Sequence, residues 1–367
     1  MQNIKLGDSM VKGIRLALAE RDHRAGDYEI ELVVKDGGLP NGQWDPDIER
    51  QNAEAAVSDP DVMAYIGPLN SGAAKISIPI TNQAGLLQIS PSNTWPGLTK
   101  VGFLPGEPGK FYPTGRRNYF RTAPTDDLQA PAAVRWAQDL GFHSVYILDD
   151  GEAYGKGLAD LFEATAIERG LDIRGHETIT DISVQHPDRV EKVNRVLEQI
   201  IVENPDLDLI FYGGFTPNGA PLIVRQMQAL GIAARFMGPD AIVDTAFIEE
   251  AGPAAEGVLA TLVGVPPGEW RGKGETFYNN YLATYQTEPE AYAQFAYDAA
   301  QVILLAIEQA NVKDRTAILN AVGELKKVNG AAGIFEFDPN GDTDLHVVSG
   351  NIVSNGRFVF QTELPAR

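Results

Sequence analysis

Apolar positions along the chain fall into two rhythms that alternate from one end to the other. Short continuous apolar runs read as strands: EIELVVK at 29–35, VMAYIG at 62–67, LLQIS at 86–90, SVYILD at 144–149, LDLIFY at 207–212, RFMG at 235–238 and GVLATLV at 257–263. Between them lie stretches with helical spacing. Val11, Ile14 and Leu18 stand at i, i+3 and i+7, and Leu158, Leu161, Phe162 and Ala166 at i, i+3, i+4 and i+8. Val193, Leu197, Ile200 and Ile201 repeat the pattern, as do Ile223, Met227 and Leu230. Strands that are apolar on both faces, separated by amphipathic helices, predict a parallel sheet covered on both sides. The series occurs twice, on either side of a polar, Gly/Pro-rich stretch at 91–119. Three successive helices follow, near 273–285, 290–310 and 314–323. The tail then changes character, with strands at 333–337 and 345–361 around an Asn340-Gly341 turn, the signature of antiparallel pairing. The fold class is α/β, with two doubly wound lobes.

A doubly wound domain opens on a strand, and here a helix comes almost at once. Residues 5–8 (KLGD) read as a loop, with the helix following.

Composition narrows the function. The chain has 30 Lys+Arg against 50 Asp+Glu, so its net charge is −20. A chain this acidic repels the phosphates that a nucleic-acid or anionic lipid partner presents. There is no cysteine, which removes disulfides, thiolate metal sites and cysteine nucleophiles. No apolar run approaches the length of a bilayer span. The sequence lacks a Gly-x-Gly-x-x-Gly or phosphate-binding loop after a strand, and Ser71 sits in LNSGA, not in a nucleophile elbow. The five histidines are scattered away from strand ends. No cofactor or metal is expected. Asp338, Asn340, Asp342 and Asp344 alternate as in a calcium loop but lack its downstream Glu, and a hairpin turn is the simpler reading.

Ligands of open α/β sheets bind outside the carboxyl ends of the strands. The residues there form two groups. After the strands at 62–67 and 86–90 come Ser71, at a helix start, and Ser92, Asn93 and Thr94. Hydroxyls beside the free N–H groups of a helix N-terminus suit a carboxylate. After the strands at 144–149, 207–212 and 235–238 come Tyr154, Phe215 and Asp240. An aspartate with aromatic walls suits a cation. A small zwitterion satisfies both groups. Each also has a plainer reading: Ser71 as a helix cap, Ser92 and Thr94 as turn residues, Asp240 as the start of the next turn.

The stretches YIGPLNSGAA, LLQISPSNTWPGLT, LDDGEAYGKGLADLFEATAIERG and DLIFYGGFTPNGAPLIVRQMQALGI, with ARFMGPDAIVD and AAEGVLAT, resemble the type I periplasmic binding proteins of ABC importers, and within them the leucine/isoleucine/valine-binding group. The resemblance runs nearly the whole chain in order. It implies two Rossmann-like lobes joined by three hinge crossings near 120–124, 256–261 and 333–337. The N-terminal lobe would be 1–121 plus 258–333 and the C-terminal lobe 122–257 plus 334–367. It implies Ser71 and Thr94 on the ligand carboxylate, helped by backbone groups at Ser92 and Asn93. Asp240 would take the ammonium, Tyr154 and Phe215 would close over the ligand, and Leu6 and Tyr292 would line the side-chain pocket. Asp240 stands where Glu is usual and Phe215 where Tyr is common. The resemblance further implies a monomeric, periplasmic or extracellular receptor, lipid-anchored in its full-length form, that hands a small aliphatic amino acid to a membrane permease. An amide, a polyamine-like solute or an aromatic acid is the alternative ligand, and the sensing domain of a signalling protein the alternative class. Relatives begin with an export segment and a central strand, so the first strand of the N-terminal lobe is expected upstream of Met1.

Overall fold

The computed structural model describes residues 3–39 and 42–365. Two separate sheets organise the chain. Three parallel strands, Ala64–Ile66, Leu87–Ser90 and Tyr119–Arg121, make the first. The second has seven strands, in the order Arg357–Leu364, Val348–Ser354, Leu259–Val263, Arg235–Gly238, Leu209–Gly213, Ser144–Asp149 and Asp172–Thr178. Its last five are parallel, and the two C-terminal strands add an antiparallel edge. Six of the seven apolar runs thus become strands of these sheets, and the four helical stripes become helices. The all-buried strands Leu209–Gly213 and Leu259–Val263 sit in the middle of the second sheet, where both faces are covered.

The helices Asn3–Ala19 and Ala293–Ala310 pack against one another and fill the first core with Leu6, Ile14, Phe295 and Leu304. The faces of the second sheet are covered by the helices Asp126–Asp139 and Gly155–Glu168 on one side, and by Arg189–Glu203 and Ala220–Ala229 on the other.

Four expectations change. Helix Asn3–Ala19 already includes residues 5–8, read above as a loop. Of the strand expected at 29–35, only Glu29 pairs, as the end of the two-residue strand Tyr28–Glu29 in a small hairpin with Arg24–Ala25. Residues 30–35 run on without a ladder, and Val33 and Val34 are 60% and 47% exposed. Among the described residues no strand lies beside them, and Ala64–Ile66 forms an edge of its sheet. Strand Leu259–Val263 pairs with Arg235–Gly238 and Val348–Ser354, so it belongs to the second sheet. The boundary expected at 258 therefore moves past Val263, and the crossing expected at 256–261 moves with it. Two strands were also not foreseen: Tyr119–Arg121 and the polar edge strand Asp172–Thr178.

The Asp-rich tail segment is a turn. Asp338 accepts from the backbone of Asn340 (2.7 Å) and Asp342 (3.0 Å), while Phe337 bridges to Thr343.

Candidate functional site

Helix Ser71–Gln83 starts immediately after strand Ala64–Ile66, and loop 91–99 leaves the neighbouring strand Leu87–Ser90. The loop is held from within. Ser90 Oγ accepts from the backbone N–H groups of Ser92 (3.2 Å) and Asn93 (3.0 Å). Ser92 Oγ donates to the Leu69 carbonyl at 3.0 Å, and Asn93 Nδ2 donates to the carbonyls of Pro68 and Leu69 at 3.0 and 2.8 Å. Ser92 and Asn93 therefore tie the loop to residues 68–69. Their backbone N–H groups, expected to help bind a carboxylate, are already engaged by Ser90. Arg121, fully buried, holds the loop from behind: its guanidinium donates to the carbonyls of Asn93 (3.1 Å) and Trp95 (2.7 Å) and to Asp342 (2.7 Å). Ser71 Oγ accepts from the Trp95 backbone at 3.3 Å. Thr94 is fully buried, and its hydroxyl finds no hydrogen-bond partner.

Asp240 follows strand Arg235–Gly238 and is also fully buried. Its Oδ1 accepts from Gln129 Nε2 at 3.0 Å and from the Tyr154 hydroxyl, and its Oδ2 accepts from the Tyr292 hydroxyl. Burial pushes the Asp240 carboxyl above the usual carboxylate range, and these three donors pull against that shift. Burial first, and then the Asp240 charge, raise both tyrosine hydroxyls well above their ordinary value, so they act as donors. The Tyr154 and Phe215 rings meet at 4.8 Å, inclined by 53°. Asp150 fixes this wall, accepting from Phe215 N (3.3 Å) and Asn218 Nδ2 (2.7 Å). Leu6 is buried in the same apolar cluster as Tyr292.

Elements of the two sheets touch across the cleft. Tyr292 begins the helix Ala293–Ala310 of the first core, yet it bonds Asp240 beside the second sheet. Trp44 Nε1 donates to Glu152 at 3.2 Å, Gln43 reaches Asn218 at 3.3 Å, and Lys5 pairs with Glu249 at 2.6 Å. The Trp95 ring lies where a Cβ on Gly157 would be, so that position takes only glycine. Trp95 is thus an interlobe contact, while Glu107 accepts from its Nε1 at 2.8 Å and pairs with Lys75 at 2.9 Å.

The structure brings Ser71, Thr94, Tyr154, Phe215, Asp240 and Tyr292 to the junction of the two halves. Sequence reasoning missed Asp126 and Gln129, both fully buried on the first turn of helix Asp126–Asp139. They follow strand Tyr119–Arg121, so the strand-end rule would have found them had that strand been recognised. Among the described residues, the single cluster able to offer several metal ligands is Asp160, Glu163 and His176. Both His176 nitrogens there face carboxylates, of Glu163 at 2.9 Å and Asp149 at 3.0 Å.

A two-lobed α/β body with a buried polar junction is the architecture of a solute receptor. The family model described as periplasmic binding protein matches residues 4–351, and the chain belongs to that family. This is a family of solute-binding proteins, not of enzymes, and it works outside the cytoplasm. The chain is 27% identical over 342 residues to the Leu/Ile/Val-binding protein BraC3 of Rhizobium johnstonii, covering 92% of this chain and 84% of that protein. It is 26% identical to a leucine-, isoleucine-, valine-, threonine- and alanine-binding protein of Pseudomonas aeruginosa, over 85% of this chain and 79% of the relative. Among solved structures, the leucine-binding protein LivK of Thermotoga maritima superposes with a TM-score of 0.83 at 26% identity, covering 98% of this chain and 94% of that one.

Proposed function

We propose that the protein binds a small aliphatic amino acid of the branched-chain class between its lobes and delivers it to the membrane subunits of an ABC transporter. The observation that carries this reading is the pairing of opposite chemistries in one buried junction. Ser71 and Thr94, at a helix start and a braced loop, suit a carboxylate. Asp240, held by two tyrosines and a glutamine, suits an ammonium. Tyr154, Phe215, Tyr292 and Leu6 supply the apolar walls. Ser92 and Asn93 shape the loop through their bonds to residues 68–69. The names of the relatives point to the same ligand class.

The lobes are 3–121 plus 265–335 and 126–263 plus 348–365, and the protein works as a monomer. Ligand contacts that exist only when both lobes engage shift the population to the closed form, which the permease recognises. A thermal-shift panel of the twenty amino acids tests the assignment, because a ligand of the folded state raises the melting temperature by mass action. Leucine, isoleucine or valine should give the largest rise. A panel in which no α-amino acid moves the transition removes the reading.

A further inference from the structure

The histidines are scattered in sequence, but folding sets His176 against carboxylates on both sides. Asp160 and Glu163 stand at i and i+3 on helix Gly155–Glu168, and His176 faces them from the edge strand Asp172–Thr178. Each of the three can offer one ligand atom, and those atoms lie within 4.8 Å of one another. His176 Nδ1 is 2.9 Å from Glu163 Oε2. Two ligand atoms held by one zinc ion at tetrahedral angles are about 3.4 Å apart, so an ion enters this gap with a small side-chain shift. Behind the imidazole stands Asp149, fully buried at the end of strand Ser144–Asp149. Its Oδ2 lies 3.0 Å from His176 Nε2 and accepts from Thr178 Oγ1 at 2.9 Å, while its Oδ1 accepts from Gly151 N at 2.8 Å. In the neutral imidazole, a carboxylate fixed on Nε2 keeps the proton there and leaves the Nδ1 lone pair on the side of Glu163. A buried carboxylate on the far nitrogen is how proteins orient a metal-ligating histidine.

We propose that Asp160, Glu163 and His176 form a divalent-metal site in the second lobe, suited to zinc, with Asp149 as the buried group that orients the histidine. One imidazole and two carboxylates are a donor set for zinc and its neighbours, whereas calcium and magnesium take oxygen ligands. Glu163 and His176 are half-buried and Asp160 is exposed, so the ion enters from solvent and keeps room for water. The net charge of −20 draws cations to the chain, and without cysteine no thiolate competes for the ion. One protein cation stands against it. Lys156 Nζ pairs with Asp160 Oδ1 at 2.7 Å, and the two side chains are 49% and 48% exposed. An exposed pair of this kind contributes little, so a divalent ion displaces it. A bound ion clamps the polar edge strand Asp172–Thr178 to the helix that begins directly after Tyr154.

The test titrates zinc chloride calorimetrically into the whole chain, first stripped with a chelator and then freed of it, and follows thermal melting with zinc and with excess EDTA. Wild type should bind one zinc per chain saturably, and zinc should raise the melting temperature in a way that EDTA reverses. His176→Gln and Asp160→Asn should each weaken binding by at least about 10-fold, since changing even an orienting group costs about 10- to 100-fold. Lys156→Gln removes the competing cation and should tighten binding by about two- to fivefold. His186, 3.8 Å from Asp181, is the control, and His186→Gln should leave zinc affinity unchanged. These positions are at least partly exposed, so the variants keep the fold. No saturable zinc binding to wild type, equal affinity in wild type and His176→Gln, or a loss confined to His186→Gln overturns the site. Neither readout needs an amino acid, so the outcome is independent of the ligand assignment.

Discussion

Asp244 shows how burial turns one carboxyl into a pH-dependent element of stability. It caps helix Thr245–Ala251, accepting from Phe247 N at 2.6 Å and Thr216 Oγ1 at 2.9 Å, and burial pushes its pKa up to about 7. The same group in the unfolded chain titrates near 4. Between those values the folded state holds a proton that the unfolded chain has lost. The resulting stability is complete below about pH 4 and gone above about pH 7. Asp244→Asn keeps an acceptor at the cap and has no proton to lose. Its melting temperature relative to wild type should therefore rise between pH 5 and pH 8. A difference that stays constant over that range contradicts the account. Single residues were legible in the sequence where they sit at the ends of recognisable strands, as Ser71, Thr94, Tyr154, Phe215 and Asp240 do. Ser92 and Asn93 had the right type and position, but their partners, Ser90 and the carbonyls of residues 68–69, are set by the loop's own folding. No composition rule shows which way such side chains turn.

Elements built of apolar runs or helical stripes were readable, and those defined by neighbours were not. Strand Tyr119–Arg121 has three residues and no alternation, and it exists because Leu87–Ser90 and Asp342 pair with it. Residues 30–35 show the converse, a strand-like sequence without a paired neighbour among the described residues. The element that positions the candidate site most directly is loop 91–99, and its staple is Arg121. The guanidinium joins that loop to the turn at Asp338–Asp342 through the 2.7 Å pair with Asp342, with both side chains buried. Arg121→Met keeps the bulk but leaves Asp342 with a buried charge and two loop carbonyls without their donor. We expect a loss of about 3–5 kcal/mol in chemical denaturation, the scale for breaking a buried ion pair on one side. A loss below about 1 kcal/mol would mean that the loop is held otherwise.

At the scale of the whole molecule, the doubly wound pattern and the change to antiparallel strands in the tail were both written in the periodicity. The exact crossing points were not. Strand Leu259–Val263 is as apolar as its neighbours and could join either sheet by pattern alone, and only its pairing with Arg235–Gly238 and Val348–Ser354 places it. The contacts across the junction, Tyr292 to Asp240, Trp44 to Glu152 and Trp95 against Gly157, are distant in sequence and invisible to local rules. They join the two halves around Asp240, which is fully buried. In the proposed function this junction binds an amino acid through charge. Calorimetric titration of L-leucine into wild type and Asp240→Asn tests it most directly. Saturable binding of one leucine per chain to wild type, weakened by about 2–4 kcal/mol in Asp240→Asn, is the predicted result. Equal affinity in the two proteins, or no binding to wild type, would contradict it.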